Sequence, residues 1–298
     1  LNGSGVPQWA ANGIPVCTAA GDQRNAVLIA DGSGGVVIAW EDYRSGYSDI
    51  YAQHLNALGS PLWTVNGVAV EPSSYSAYQP RLASDGAGSA IITWHVFWPP
   101  NYEGDIHAQR LSAAVGTPLW TAAGVSVCTA AGLQYSPRIA ADGSGGAIIG
   151  WVDHRSGIGS DRPDIYAQRL DASGNRLWAY DGAGVSVAID SQVDPVLASD
   201  ASGGAVFAWT DRRDGVNDYL YAMRISSGGL DLWDANGAVG VPAVGPSGEN
   251  LDLAPPQPNP TAGPFTIDFI LPHAGNACVE LLDVAGRRVF VRSLEALG

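Results

Sequence analysis

One sequence unit recurs along most of this chain, and this repetition constrains the fold more than any other feature. Two series of tryptophans mark it, and the spacing within each series is nearly constant. One series is Trp40, Trp94, Trp151 and Trp209, and the other is Trp9, Trp63, Trp120, Trp178 and Trp233. A period of this size is typical of a propeller, a solenoid or an array.

Each unit has the pattern of four short strands. In the fullest copy, residues 134–142 predict a first strand, residues 146–151 an apolar second strand and residues 164–170 a third strand with two different faces, and Trp178 begins the fourth. The Asp-Gly-Ser-Gly-Gly segment at 142–146 supplies glycines for a tight hairpin. Four strands in a unit of this length match a propeller blade, so we predict an all-β chain with a β-propeller.

Four full repeats and one partial repeat are visible. The predicted propeller covers residues 1–241, and its repeats are 1–16 (partial), 17–70, 71–127, 128–187 and 188–241. Residues 1–9 align with residues 170–178, so the sequence starts inside a repeat and is expected to be a fragment of a longer protein. We expect an open or incomplete ring, and a four-bladed ring closed by the N-terminal strand is the alternative.

The last part of the chain has a different pattern. Residues 242–257 are rich in Pro and Gly and are expected to form a linker. Residues 258–298 alternate as strands do, and residues 283–287 form the predicted turn between two of them. This stretch is shorter than a usual β-sandwich domain, so we predict a truncated Ig-like β-sandwich.

Composition excludes several classes of function. The net charge is −14 and the chain contains no Lys, which argues against nucleic-acid binding, a Schiff-base lysine, a P-loop and a polybasic membrane anchor. No apolar run is long enough to form a membrane-spanning helix, so no transmembrane segment is expected. Cys17 and Cys128 occupy equivalent places in two repeats and are expected to be small buried side chains without metal-site spacing.

A charged motif, Asp-x-Arg, follows the second strand in three of the four repeats. We interpret it as a structural clamp that fixes the hairpin between the second and third strands, because a catalytic site would break the repeat symmetry and not follow it. The alternative is a charged functional site on every blade. The clamp residues are Asp42, Arg44, Asp153, Arg155, Asp211 and Arg213.

The second repeat replaces this motif with an aromatic loop stiffened by prolines. Its residues His95, Phe97, Trp98 and Tyr102 are the candidate ligand-binding residues, since such rings can stack on a sugar or on an aromatic surface of a partner. The alternative is a loop folded over its own blade. Loops on a rigid scaffold commonly carry binding function. No catalytic residue is predicted.

Two resemblances follow from these motifs. The stretch with Pro258-Asn259-Pro260, Leu271-Pro272 and Asp283-x-x-Gly286-Arg287 resembles the C-terminal sorting domain of type IX secretion and the related FlgD-type Ig-like domain. The repeats resemble those of bacterial surface proteins with tandem DGxGG…WxDxRxG…DIYAQR units, and they are similar to the propeller repeat of the periplasmic Tol system. The resemblances imply an extracellular or cell-surface location, and export of the parent protein by its secretion machinery.

The leading functional hypothesis is a non-catalytic, secreted or cell-surface binding module for a protein or glycan, with a role in adhesion. The alternative is a propeller-type glycoside hydrolase or sialidase-like enzyme, which requires paired carboxylates or an Arg cluster with a Tyr nucleophile. Glu41, Asp42, Glu71 and Glu103 offer carboxylates for such a pair. No cofactor is expected, apart from a structural Ca²⁺ at the Asp-Gly-x-Gly-Gly turns if backbone carbonyls converge there.

Overall fold

The computed structural model describes residues 3–71, 75–98, 103–155 and 162–229, and the strand segments 252–253, 269–270, 277–282 and 288–294. The chain divides into two compact units, residues 1–232 and 233–298. The regular secondary structure of the described residues consists of β-strands. Within these ranges, no helix has the length and apolarity needed to span a membrane.

The first unit contains four antiparallel sheets. The first sheet consists of β1 (Gln23–Ala30), β2 (Val36–Asp42), β3 (Asp49–Leu55) and β4 (Val68–Glu71). The second consists of β5 (Ser76–Ser84), β6 (Ala90–Trp98), β7 (Glu103–Leu111) and β8 (Val125–Cys128). The third consists of β9 (Gln134–Ala141), β10 (Ala147–Asp153), β11 (Asp164–Leu170) and β12 (Ala183–Ser186). The described part of the fourth consists of β13 (Gln192–Ser199), β14 (Ala205–Asp211) and β15 (Tyr219–Ile225).

Within each sheet the strands pair in chain order, and the first strands β1, β5, β9 and β13 pack against one another from sheet to sheet. These first strands therefore form the inner surface of the unit. Leu28 on β1 and Val196 on β13 are 65% and 55% exposed. Within the described ranges, the inner strands of the first and last sheets are therefore partly exposed to solvent. This architecture confirms the predicted all-β propeller of repeated antiparallel sheets.

Three hydrophobic cores lie between adjacent sheets. Val37 and Ile50 of the first sheet pack with Ile92 and Trp94 of the second. The second core joins the second and third sheets, and the third core joins Ile148 and other residues of the third sheet to the fourth. Each fully buried aliphatic side chain contributes about 1.5–3 kcal/mol, so these cores hold the blades together.

Trp63, Trp120 and Trp178 of the second series do not begin the fourth strands, which corrects the predicted strand boundary. Trp178 lies in a turn, where its backbone N–H donates to Gln168 Oε1 at 2.9 Å and its indole N–H donates to the carbonyl oxygen of Ser227 in the next sheet at 2.9 Å. The turn ends at Gly182, whose φ of 92° is in the left-handed region, and β12 begins one residue later. This tryptophan therefore joins one blade to the next.

The second unit contains two described strand pairs. β16 (Asp252–Leu253) pairs with β17 (Phe269–Ile270), and β18 (Ala277–Leu282) pairs antiparallel with β19 (Arg288–Leu294). The predicted turn at 283–287 and most of the predicted linker at 242–257 lie outside the described residues. An Ig-like identity for this unit therefore remains a prediction. The predicted fourth strand of the fourth blade, which would precede the linker, also lies outside them.

Candidate functional site

The Asp-x-Arg motif forms the same contacts in three blades. In the third blade Asp153 is fully buried, and Arg155 donates to both of its oxygens, from Nε at 3.0 Å and from Nη2 at 2.6 Å. The indole of Trp151 donates to Asp153 Oδ2 at 2.7 Å. The Arg155 guanidinium also lies 3.6 Å from the ring centroid of Tyr166. Asp153 ends the second strand, and the Arg155 that it holds packs on Tyr166 of the third strand, so this cluster connects the two strands.

The first and fourth blades repeat this arrangement. Arg44 Nη2 lies 2.6 Å from Asp42 Oδ2, and Arg213 Nη2 lies 2.6 Å from Asp211 Oδ2. Burial would raise the pKa of Asp42, but the hydrogen bonds from Arg44 and Trp40 outweigh it and lower that pKa. For Asp211 too, burial would raise the pKa, but the hydrogen bonds from Arg213 and Trp209 outweigh it and lower that pKa. The repeated geometry fits a structural role for the motif.

The second blade has lost this clamp and compensates for it. Val96 and Trp98 stand where Asp153 and Arg155 stand in the third blade, so Val96 offers no acceptor to the Trp94 indole. Glu71 fills the gap: its Oε2 accepts from Trp94 Nε1 at 2.9 Å. Glu71 ends β4, and the equivalent strand end before the third blade is Cys128. Around Trp94, Glu71 and Val96 therefore occupy the positions that Cys128 and Asp153 hold around Trp151.

This exchange predicts a measurable dependence between the two positions. Glu71→Cys removes the acceptor from a buried indole N–H, so we expect the free energy of unfolding to fall by about 1–3 kcal/mol. Adding Val96→Asp and Trp98→Arg recreates the acceptor and its guanidinium partner, and should recover most of the loss. Urea unfolding of the single and triple variants checks this, and a triple variant no more stable than Glu71→Cys would show that the sites are not equivalent.

In the described part of the second blade, the lost clamp also leaves a buried carboxyl without a guanidinium beside it. Burial raises the pKa of Asp105 to about 7, and the neighbouring charges of Asp181 and Glu103 raise it too. Burial lowers the pKa of the nearby His107 to about 4. Asp49 holds the matching position in the first blade, where the hydrogen bond from Ser45 and the charge of Arg44 partly offset the effect of burial on its pKa.

Asp105 should therefore make stability depend on pH. Its folded pKa of about 7 lies above its ordinary value of 3.8, so stability is lost as pH rises between these values and stays low above them. The loss is about 1.4 kcal/mol per pKa unit. We expect Asp105→Asn to be more stable than the wild type at pH 8 by up to a few kcal/mol and similar to it at pH 4. Thermal unfolding at both pH values checks this.

The matched control is Asp49→Asn, for which we expect a smaller stabilisation at pH 8 because Arg44 and Ser45 already favour the charged form. A larger gain at Asp49 than at Asp105 would contradict the assignment of the effect to the missing guanidinium.

The predicted ligand-binding residues pack against their own blade. Trp98 is half-buried, its ring centroid lies 5.7 Å from that of Tyr75, and its Nε1 is 3.4 Å from Glu103 Oε2. The ring centroids of His95 and Tyr78 lie 5.6 Å apart with the two rings tilted, and burial lowers the pKa of His95 to about 4. Phe97 is half-buried on the same strand, β6. Tyr102 lies outside the described residues, so ligand contact by this loop remains a prediction.

The aspartates of the Asp-Gly-x-Gly-Gly turns already have partners on both oxygens. Asp142 Oδ1 accepts the backbone N–H groups of Ser144 and Gly146, each at 2.8 Å, and Arg169 Nη2 lies 2.9 Å from Asp142 Oδ2. His54 takes the place of this arginine in the first blade, 3.0 Å from Asp31. In the described ranges, no group of three or more His, Cys, Asp or Glu residues could hold a metal ion. The predicted calcium would have to compete with these donors for the carboxylates.

The inner surface contains a polar cluster that the sequence analysis missed. Asn25, Gln79, Ser136 and Asp194 have φ values of 54°, 54°, 52° and 53°, and each lies at a β-bulge near the start of its inner strand. An extra residue of this kind re-aims the neighbouring side chains and is over-represented next to active sites. The bulges lie at equivalent positions of neighbouring inner strands, so they form one row along the inner surface.

Hydrogen bonds connect these bulges across the blades. Glu41 Oε2 accepts from Asn25 Nδ2 and its Oε1 accepts from the backbone N–H of Gln79, both at 2.9 Å. Gln79 Oε1 accepts from the backbone N–H of Ser136 at 3.1 Å. Asp194 is exposed, and Tyr135 is close enough to it for burial and the Asp194 charge together to raise the pKa of the phenol. We call the residues Asn25, Glu41, Gln79, Arg81, Ser136, Arg138 and Asp194 the inner cluster.

The inner cluster breaks the repeat symmetry. The position of Glu41 is occupied by His95, Val152 and Thr210 in the other three blades. Arg81 and Arg138 occupy a position held by Val27 and Val196 in the first and fourth blades. Aligning the repeats position by position would have revealed both differences. The clamps repeat and the inner cluster does not, which makes the cluster the candidate active site.

Comparisons with known proteins return similar folds but no family. No protein-family model matches the sequence, and no curated protein matches it. An α-L-arabinanase from Penicillium chrysogenum is 14% identical with a TM-score of 0.46, and the match covers 76% of this chain and 68% of that one. An endo-arabinase from Bacteroides thetaiotaomicron is 18% identical with a TM-score of 0.38, over 63% of this chain and 70% of that one.

These comparisons correct two predictions. The GH43 endo-arabinanase from Bacillus licheniformis is 16% identical with a TM-score of 0.38, over 70% of this chain and 76% of that one, and it too is a glycoside hydrolase. The predictions of a non-catalytic binding module and of a chain that is not an enzyme find no support in these comparisons, since the named structures of similar fold are those of enzymes. Identities this low speak to the fold and name no substrate for this chain.

Proposed function

We propose that this chain is a propeller-type glycoside hydrolase whose active site is the inner cluster. The observation that carries the proposal is the loss of symmetry there. In a chain whose turns, clamps and tryptophans repeat, the inner positions carry Glu41, Arg81, Arg138 and Asp194 each in only some of the blades. Catalysis requires different groups at equivalent places, because the acid and base have different tasks.

Glycoside hydrolysis usually needs two carboxyl groups on one surface. Asp194 is exposed, so it is the carboxyl that a sugar and its attacking water can reach. Glu41 is buried and accepts hydrogen bonds on both oxygens, so its position is fixed by Asn25 and Gln79. We assign Asp194 to proton transfer at the substrate and Glu41 to electrostatic stabilisation of the charge that develops on the substrate. Action outside the cell is part of the same proposal.

The test is the release of new reducing ends from polysaccharides. The purified chain is incubated with arabinan, xylan, galactan and polygalacturonate, and the products are separated by chromatography. Time-dependent release of oligosaccharides from any of them that is abolished in the variant Glu41→Gln/Asp194→Asn supports the proposal. Absence of release from all four, or release that the double variant retains, would overturn it.

A further inference from the structure

Among the described residues, two arginines of the inner cluster have no carboxylate partner. Arg81 and Arg138 occupy equivalent positions on the neighbouring inner strands β5 and β9, and both are half-buried. Most other arginines of the first unit form ion pairs, for example Arg110 with Asp85 and Arg169 with Asp142. A half-buried guanidinium without a counter-ion is unusual, because burying an unpaired charge has a free-energy cost.

Each guanidinium is held in place by a carbonyl of its own strand. Arg81 Nη1 donates to the carbonyl oxygen of Pro80 at 2.8 Å, and Arg138 Nη1 donates to that of Pro137 at 3.0 Å. An arginine has five N–H donors, so most of them remain for another acceptor. Proline at both positions fixes the backbone that presents these carbonyls. The two side chains are therefore positioned before any ligand arrives.

The two positive charges are close enough to interact with each other. Burial lowers the pKa of Arg81, the charge of Arg138 lowers it further, and Glu41 acts in the opposite direction. The chain as a whole has a net charge of −14, so this positive pair is a local feature of the inner surface and not part of a basic face. An anion between the two guanidiniums would relieve their repulsion and use their free donors.

We propose that Arg81 and Arg138 bind the carboxylate of an acidic sugar, so that the substrate of this chain is a uronic-acid-containing glycan. Guanidinium groups match the planar, two-oxygen geometry of a carboxylate with paired hydrogen bonds. The distribution between the blades separates the charges: the second and third blades carry the arginines, whereas the first and fourth blades have Val27 and Val196 there and carry the carboxylates Glu41 and Asp194. The inference rests on the proposed function and names the substrate class of the same site.

The experiment measures binding independently of hydrolysis. Isothermal titration at 50 mM and 300 mM NaCl compares trigalacturonate, its carboxyl-reduced neutral form and a sulfated neutral trisaccharide as probes, using the wild type, Arg81→Gln and Arg138→Gln. The control is Arg24→Gln, an exposed arginine on the inner strand β1 that is paired with Asp22. We expect each inner variant to bind trigalacturonate about 10- to 100-fold more weakly, with Arg24→Gln and binding of the neutral form unchanged.

The outcomes separate the two proposals. Equal affinity for trigalacturonate and its neutral form, tighter binding of the sulfated probe, or loss of affinity equal in all three variants would overturn the carboxylate site and leave the hydrolase proposal standing. Arginine-dependent binding of trigalacturonate without hydrolysis of any polysaccharide supports the carboxylate site while the hydrolase proposal fails.

Discussion

Replacing Asp153 by alanine is expected to lower the free energy of unfolding by about 3–5 kcal/mol, because one partner of a buried ion pair leaves the other uncompensated. Asp153 is fully buried and accepts hydrogen bonds from Arg155 and from the Trp151 indole. Alanine removes the acceptor of the Trp151 indole and the only carboxylate beside Arg155 in the described residues, which leaves Arg155 Nη2 with the carbonyl oxygen of Asp181 at 2.7 Å. The measurement is urea-induced unfolding followed by tryptophan fluorescence. A lower urea midpoint at an unchanged m-value reports the loss of stability.

The control for this prediction is Asp218→Ala. Asp218 pairs with Arg212 at 2.8 Å, but both side chains are about half exposed, at 53% and 51%. Exposed pairs contribute about 0–1 kcal/mol, so this variant should unfold close to the wild type. Equal effects of the two substitutions would show that burial of the clamp does not determine its strength.

Replacing Gly182 by alanine is expected to lower the free energy of unfolding by about 2–5 kcal/mol, from backbone strain and overlap together. Gly182 has a φ of 92°, and a Cβ there would lie 2.6 Å from the Trp151 ring and 2.8 Å from the carbonyl oxygen of Ala167. The tryptophan is fully buried and the carbonyl belongs to β11, so neither can move freely. Thermal and urea unfolding measure the change.

Gly32→Ala provides the matched control for strain alone. Gly32 has a φ of 79°, but a Cβ at that position would meet no atom within 4 Å. We expect this variant to lose only about 1 kcal/mol, the cost of the left-handed conformation. If Gly182→Ala is no more destabilised than Gly32→Ala, the close packing of the tryptophan against the turn does not contribute to stability.

The repeat pattern predicts the blades because it records side-chain periodicity and turn residues directly. Local sequence predicts three features of each repeat: three or four strands, a hairpin at Asp142 or its equivalent, and an apolar second strand. It does not predict the boundary of the fourth strand, because Trp178 resembles a strand residue while its backbone N–H is held by Gln168 from a different strand. That contact depends on the tertiary structure and leaves no local signal.

The candidate active site was harder to predict for a related reason. The aromatic insertion near Trp98 departs from the repeat pattern most visibly, so the sequence predicts a ligand site there. In the structure Trp98 packs against Tyr75. The inner cluster departs by single residues, such as Glu41 and Arg81, inside strands that otherwise look alike. Their importance depends on the bulges along the inner surface, and the sequence shows neither the positive φ of Gln79 nor its neighbours in the next blade.

The compensation between Glu71 and Val96 also became visible only from the structure. The two residues belong to different blades, and they are linked through the single indole N–H of Trp94. A comparison of repeats shows that each position is unusual, while the contact shows that one change offsets the other.

The central claim, that the inner cluster is the active site of a glycoside hydrolase, is tested most directly by the initial rate of reducing-end release in Asp194→Asn. The rate is compared with that of Asp218→Asn, an exposed carboxylate of the same blade, on the polysaccharide that the wild type degrades fastest. We predict that Asp194→Asn lowers kcat by about 10²- to 10⁴-fold at unchanged thermal stability, while Asp218→Asn keeps the wild-type rate. A wild-type rate in Asp194→Asn would contradict the assignment.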